Sequence, residues 1–176
     1  MKMTRILMML VLGMVLAAAA NAAVYTVDNN DDFTFAQNCT AAPNDCSLRA
    51  AITFANNSPE NDTINFDPAY IGAGQELALF TFVQLTIANN GTLTINGPGA
   101  KLFSINGVNL VRVFNVSAGA TATISGITIR NGSTTGGEGG GIRNAGNLTV
   151  NSCEIKFNTG SGSDPFRFGG GGGIWN

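Results

Sequence analysis

The sequence predicts an all-β chain folded as a parallel β-helix, a solenoid of short strands, with one short helix near its N-terminal end. Three observations carry that prediction. Short strand-like segments of three kinds recur with a shared period, apolar and polar residues alternate within each segment, and the corners between segments are rich in Gly and Asn. Of 176 residues, 23 are Gly and 11% are charged, so Gly stands at about twice its usual ~7% share and charge at less than half the ordinary ~25%. This composition excludes a coiled coil and a charged disordered tail.

Charge and residue types also exclude functions. Nine basic side chains against eleven acidic ones leave no basic footprint to displace phosphate counterions, and no nucleic-acid partner is expected. The chain has no His, which rules out a Ser/His/Asp triad and a His-bound zinc built from this chain alone. No cofactor and no metal are expected.

Residues 1–22 predict an export signal. Lys2 and Arg5 make a positive start, Ile6 to Ala20 form an uncharged apolar run, and Ala20-Asn21-Ala22 supplies a small-x-small cleavage pattern. An apolar run of roughly 15 residues falls short of the ~20 that span a bilayer, so no transmembrane anchor is expected after cleavage. Cutting after Ala22 leaves 154 residues with 7 basic and 11 acidic side chains, a net charge of −4.

Composition then divides the remainder near Tyr70, since 22 of the 23 glycines lie at Gly72 or later. Residues 23–70 form the expected N-terminal cap. It opens with a strand-like Val24-Tyr25-Thr26-Val27 and a polar loop through Asn29, Asn30, Asp31 and Asp32, where the paired aspartates read as a solvated turn. A helix over about 47–57 follows. Ser47 suits its N-cap, and Leu48, Ala51, Ile52 and Ala55 share one face before Asn56, Asn57 and Pro59 end it. That apolar face is expected to lie as a lid on the first coil.

Residues 71–176 carry the coils. Leu93-Thr94-Ile95 recurs as Ala122-Thr123-Ile124 and Leu148-Thr149-Val150, and Phe103-Ser104-Ile105 as Ile127-Thr128-Ile129 and Cys153-Glu154-Ile155. Val113-Phe114-Asn115 returns as Gly141-Ile142-Arg143 and Gly173-Ile174-Trp175. Offsets of 24 to 32 residues with three strands per turn match one β-helix coil. Inward rows are expected through Ile105/Ile129/Ile155, Phe103/Ile127/Cys153 and Leu93/Ala122/Leu148. Asn-Gly pairs at 90-91, 96-97, 106-107 and 131-132 are expected at corners of positive φ. A β-hairpin explains one such pair but not a period shared by three strand types.

Cys39 and Cys46 are placed for a disulfide in an exported chain, the alternative being two free thiols. Cys153 takes an inward position and reads as a small buried hydrophobe. Beyond Glu76 the acids are Glu138, Glu154 and Asp164, on separate corners and strands, which leaves no expected catalytic pair. Glu154 reads instead as an exposed cross-strand partner of Arg130. The outer faces, with Thr94, Thr123, Thr128, Arg130, Thr149, Glu154 and Lys156, suit weak extended contacts with a glycan or protein surface. The expected function is therefore binding or display without catalysis. The alternative is the N-terminal part of a polysaccharide lyase or glycoside hydrolase whose catalytic coils lie beyond Asn176.

Cys46-Ser47-Leu48-Arg49-Ala50-Ala51-Ile52, Asp62-Thr63-Ile64-Asn65-Phe66, Ile124 to Gly132 and Gly139 to Asn144 together resemble the CSLREA-type proteins of bacterial envelopes. Gly139 to Ile142 and Ile155-Lys156-Phe157-Asn158 are similar to the repeats of polymorphic outer-membrane proteins. The resemblance covers essentially the whole chain after residue 22. It implies a right-handed coil, an extracellular or cell-surface location, an adhesin-like role and no shared catalytic site. Two departures stand out. Ala50 replaces the Glu or Gln that would close a capping box on Ser47, a loss of a few tenths to ~1 kcal/mol. The sequence also ends at Trp175-Asn176, within a strand type that opens a new coil, so the C-terminal end is expected to be incomplete and covered by a missing segment or another copy.

Intact-mass measurement of the exported protein is expected to show a chain beginning at Ala23. A product that retains Met1 to Ala22 would refute the signal reading.

Overall fold

A computed structural model describes residues 21–32, 38–69, 71–88, 90–135, 138–160 and 171–176. The chain enters through β1 (Val24–Val27) and α1 (Leu48–Asn56), then winds through about four coils. The first holds β2 (Asp62–Phe66), β3 (Gln75–Ala78) and β4 (Leu85–Ile87), and the second holds β5 (Thr92–Asn96), β6 (Phe103–Asn106) and β7 (Phe114–Val116). The third contains β8 (Thr121–Ser125), β9 (Thr128–Arg130), β10 (Ser133–Thr134) and β11 (Ile142–Asn144). The fourth contains β12 (Asn147–Asn151), β13 (Glu154–Lys156), β14 (Thr159–Gly160) and β15 (Ile174–Trp175).

Every strand pairing is parallel and joins equivalent strands of successive coils. The sheets run β1-β2-β5-β8-β12, β3-β6-β9-β13 and β4-β7-β11-β15, with β10-β14 as a short fourth. This is a parallel β-solenoid, and none of the described pairings is a hairpin. Alternation in the sequence sets which residues enter the core. Ile64, Ile95, Ile124 and Val150 form one inward row, Leu77, Ile105, Ile129 and Ile155 a second, and Leu85, Phe114, Ile142 and Ile174 a third. The middle members are fully buried, whereas Ile155 is half-buried and Ile174 is 40% exposed on the last coil.

The strand stack begins earlier than the composition break near residue 70 suggests. Both β1 and β2 belong to the same five-stranded sheet as β5. Gly content and strand stacking are separate requirements: these first rungs turn through α1 and polar loops and need few glycines.

Positive φ is found at two of the four Asn-Gly pairs and not at 96-97 or 106-107. Gly91 has the positive φ, +72°, but at 131-132 it is Asn131 that carries it, at +50°. Gly97, Gly107 and Gly132 are required by close approach. A Cβ on Gly107 would stand 2.7 Å from Gly132 Cα, and one on Gly97 would stand 2.2 Å from Ile127 Cγ2. Corners of stacked coils come so near one another that a hydrogen is the only substituent that fits.

Helix α1 forms where expected. Ser47 Oγ accepts from the Ala50 N–H at 3.2 Å, and Leu48, Ala51, Ile52 and Ala55 are buried. The helix lies against β1, β2 and β4. Asn56 fixes its far end, donating from Nδ2 to the Thr86 carbonyl at 2.8 Å and accepting the Ala88 N–H at 2.9 Å.

Asp32 is not the solvated turn that the sequence suggested. Its side chain is 2% exposed and accepts from Arg49, Nη2 to Oδ1 at 2.6 Å. Its Oδ2 accepts the Thr81 N–H at 2.9 Å and the Thr81 hydroxyl at 2.6 Å. Arg49 donates further to the Val83 and Gln84 carbonyls. A buried ion pair with its remaining valences satisfied thus ties the entry loop, α1 and the β3–β4 corner together.

The Ile52→Asp variant is expected to lose several kcal/mol, about the whole stability of a small domain, because it buries an unpaired charge under the helix. Thermal denaturation followed by circular dichroism checks this, and melting at the wild-type temperature would contradict it.

Candidate functional site

Among the described residues after residue 70, five of the eight charged side chains lie on the outer face of the β3-β6-β9-β13 sheet or in the turn beside it. Period-2 alternation points every second residue outward, and parallel register stacks these residues into two columns. One runs Glu76, Ser104, Thr128 and Glu154, the other Ala78, Asn106, Arg130 and Lys156. The turn that leads into β6 rises beside them. Together they enclose an open groove of about 400 Å³ lined by Lys101, Leu102, Ser104, Arg130, Glu154 and Lys156.

Glu76 anchors one end of the column. It accepts from Asn106 Nδ2 at 3.0 Å, from Ser104 Oγ at 3.3 Å and from Arg130. Burial pushes its carboxyl up, but the hydrogen bonds from Asn106, Arg130 and Ser104 and the charge of Arg130 outweigh that, leaving it below its ordinary value. At the other end, Glu154 accepts from Lys156 Nζ at 2.9 Å. That hydrogen bond from Lys156 is the main reason its carboxyl is also lowered.

The expected Glu154–Arg130 pair does not form. Arg130 is long enough to reach past β6 to Glu76, where three donors converge on one carboxylate, and Lys156 on the same strand supplies Glu154. Thr128 also departs from expectation: it is 3% exposed, with Oγ1 at 2.5 Å from the Ala100 carbonyl and 3.2 Å from Glu154 Oε2. It forms the groove floor. Thr149 lies elsewhere, on the five-stranded sheet, in an outward column with Thr63, Thr94 and Thr123. Of the nominated face, Arg130, Glu154 and Lys156 therefore share one open groove above Thr128, and Thr149 is not part of it.

Lys101 and Glu76 are the contributors that sequence reasoning missed. Gln75-Glu76-Leu77 precedes Phe103-Ser104-Ile105 by 28 residues, within the coil period, so the repeat extended one coil upstream would have found Glu76. Lys101 carries no such signal because it sits in a turn. The backbones of Glu76 and Glu154 are three strand spacings apart in one column, about 14 Å at the ~4.8 Å repeat.

A second polar cluster lies on the β4-β7-β11-β15 sheet. Arg143 stacks over Trp175, 5.3 Å from the ring centre, and donates to Glu138 Oε2 at 2.7 Å. Arg112 donates to the Glu138 and Gly139 carbonyls. Burial, then the like charge of Arg143, lowers the Arg112 guanidinium from its ordinary value. These groups satisfy one another.

Cys39 and Cys46 are joined in a disulfide. Cys153 is a free thiol, half-buried on the last coil, and burial raises its pKa. Asp164 lies outside the described residues. Among the described residues, no three His, Cys, Asp or Glu side chains gather as a metal site, and no helix is long and apolar enough to cross a membrane. Comparison with protein-family models, with curated proteins and with solved structures returns no match to this chain.

Because Glu76 is lowered in the folded state, its ion pair stabilises above the unfolded carboxyl value and is lost as pH falls through the folded one. Glu76→Gln is expected to lower stability at pH 7 by roughly 1 kcal/mol or less. The deficit against wild type should close below about pH 4. Melting temperatures across that range check both sign and window, and a deficit independent of pH would contradict the assignment.

Proposed function

We propose that this chain is an exported, non-enzymatic β-helix module of the CSLREA type, right-handed, with α1 as the lid of its first coil. It acts at the cell envelope or outside the cell, holding an extended acidic glycan along its outer groove. The observation that carries this reading is the excess of positive charge there. Lys101, Arg130 and Lys156 stand there against Glu76 and Glu154, which take up Arg130 and Lys156 and leave a surplus of one positive charge, although the chain as a whole is net negative. Cations focused on one face of a negative protein select anionic groups, and rungs at fixed spacing suit a polymer that repeats them.

Binding without turnover is supported by the engagement of both the Glu76 and the Glu154 carboxylates in ion pairs. A hydrolase needs a proton donor and a base or nucleophile at one bond.

The purified protein is expected to bind carboxylated or sulfated polysaccharides in preference to neutral ones, with affinity falling as salt rises. The Lys101→Ala, Lys156→Ala double variant should bind several-fold more weakly while melting near the wild-type temperature. Equal binding of neutral and acidic polymers would refute the groove. Release of reducing or unsaturated ends that Glu154→Gln abolishes would establish an enzyme instead.

A further inference from the structure

Asp62 occupies a position that a carboxylate should not hold. Register places it at the foot of the inward row that continues through Leu93, Ala122 and Leu148, and it is 2% exposed. Its Oδ1 accepts the backbone N–H of Ala23 at 2.7 Å, whereas its Oδ2 is buried without a hydrogen-bond partner. A half-satisfied buried carboxylate is costly, and such a group is normally matched to a cation. None of the described elements around it supplies one. Strand β1 brings Tyr25, whose phenol is raised by burial and by the charge of Asp62; β5 has no titratable residue, and the only one on α1 is Arg49, which is held by Asp32. Glu60, in the turn before β2, is itself acidic.

The one nitrogen already on Asp62 belongs to the residue that follows the expected cleavage site. We propose that Asp62 is the receptor for the α-ammonium group of Ala23, created when the Ala22–Ala23 bond is cut. The inference rests on the export reading above. In the cut, an export-associated peptidase directs water onto the Ala22 carbonyl carbon and the C–N bond breaks. The hydroxyl stays with Ala22 as its carboxyl, one proton goes to the Ala23 nitrogen, and a further solvent proton completes the ammonium. A single N–H becomes a cation with three N–H donors, enough for both oxygens of Asp62. Ala22 is exposed, and Ala23 is held in place by the Thr63 N–H, which donates to its carbonyl at 2.9 Å. Processing would thus complete the first rung: the uncut chain leaves Asp62 unneutralised and the cut chain pairs it.

The test takes the full chain through export and purifies the secreted product. Its mass reads the cleavage alone, and the pH dependence of α-amine acylation at Ala23, followed on the N-terminal peptide, reads the pairing. An unpaired α-amino group titrates at about 7.7–8.0. In the native protein the value is expected at least one unit higher, so acylation at neutral pH should be about ten-fold slower than in the urea-unfolded chain. Asp62→Asn, and a Gly inserted between Ala22 and Ala23, should each restore the ordinary rate. Because the folded value is raised, the pair's stabilisation is complete below the unfolded value and is lost as pH climbs through the folded one. The native-against-unfolded comparison stands even if both variants fail to fold. A product retaining residues 1–22 or cut elsewhere overturns the export reading and this inference together. A product beginning at Ala23 whose amine reacts at the ordinary rate overturns this inference alone.

Discussion

Parallel stacking in register is the constraint from which the rest of this structure follows. Each strand takes its neighbours from the coils before and after it, so every residue stands directly over its equivalent one turn earlier. An apolar residue facing inward must therefore meet apolar residues above and below. The row Ile64, Ile95, Ile124 and Val150 satisfies this with branched aliphatics of nearly equal volume. Corners obey the same rule at closer range. Gly107 beneath Gly132 leaves no room for a Cβ, which is a packing requirement more than a conformational one.

A stack has ends, and four of the six buried polar residues among those described, Asp28, Asp32, Ser47 and Asp62, lie toward the N-terminal one. Near the N-terminal end, α1 buries Leu48, Ala51, Ile52 and Ala55 and lies against β1, β2 and β4. The Asp32–Arg49 pair fastens it to the β3–β4 corner. Such a buried pair is weak evidence of net stabilisation, since desolvation offsets much of the attraction, but removing either partner strands a charge. Its contribution is to fix one arrangement of three segments distant in sequence. Asp62 belongs to the same boundary, a carboxylate where, among the described residues, an inward row meets no strand beyond β1.

On the outer face, the same register that builds the core also brings charges together. Glu76, Arg130, Glu154 and Lys156 come from three coils, yet they occupy two adjacent columns. Side-chain length then decides the partners. Arg130 spans to Glu76, where Ser104 and Asn106 also converge, and Lys156 turns back along its own strand to Glu154. The result is a groove in which Lys101 adds one positive charge to two ion pairs, on a chain that is net negative as a whole.

The fold was legible in the sequence because a solenoid writes its geometry as a period. Offsets between Leu93, Ala122 and Leu148, or between Ile105, Ile129 and Ile155, are register statements, and alternation within each triplet assigns the inward side. The helix was legible for a similar local reason, through Ser47 and the spacing of Leu48, Ile52 and Ala55. Tertiary structure alone decided what depends on reach. That Asp32 is buried against Arg49, that Arg130 passes over β6 to Glu76, that Thr128 is sealed under Ala100 and that Thr149 faces away from the groove all follow from side-chain length and loop path. Neither leaves a period in the sequence. The same holds for the Asn-Gly corners, where dipeptide chemistry suggests a positive φ but the distance to the next coil decides which of the two residues is constrained, and why.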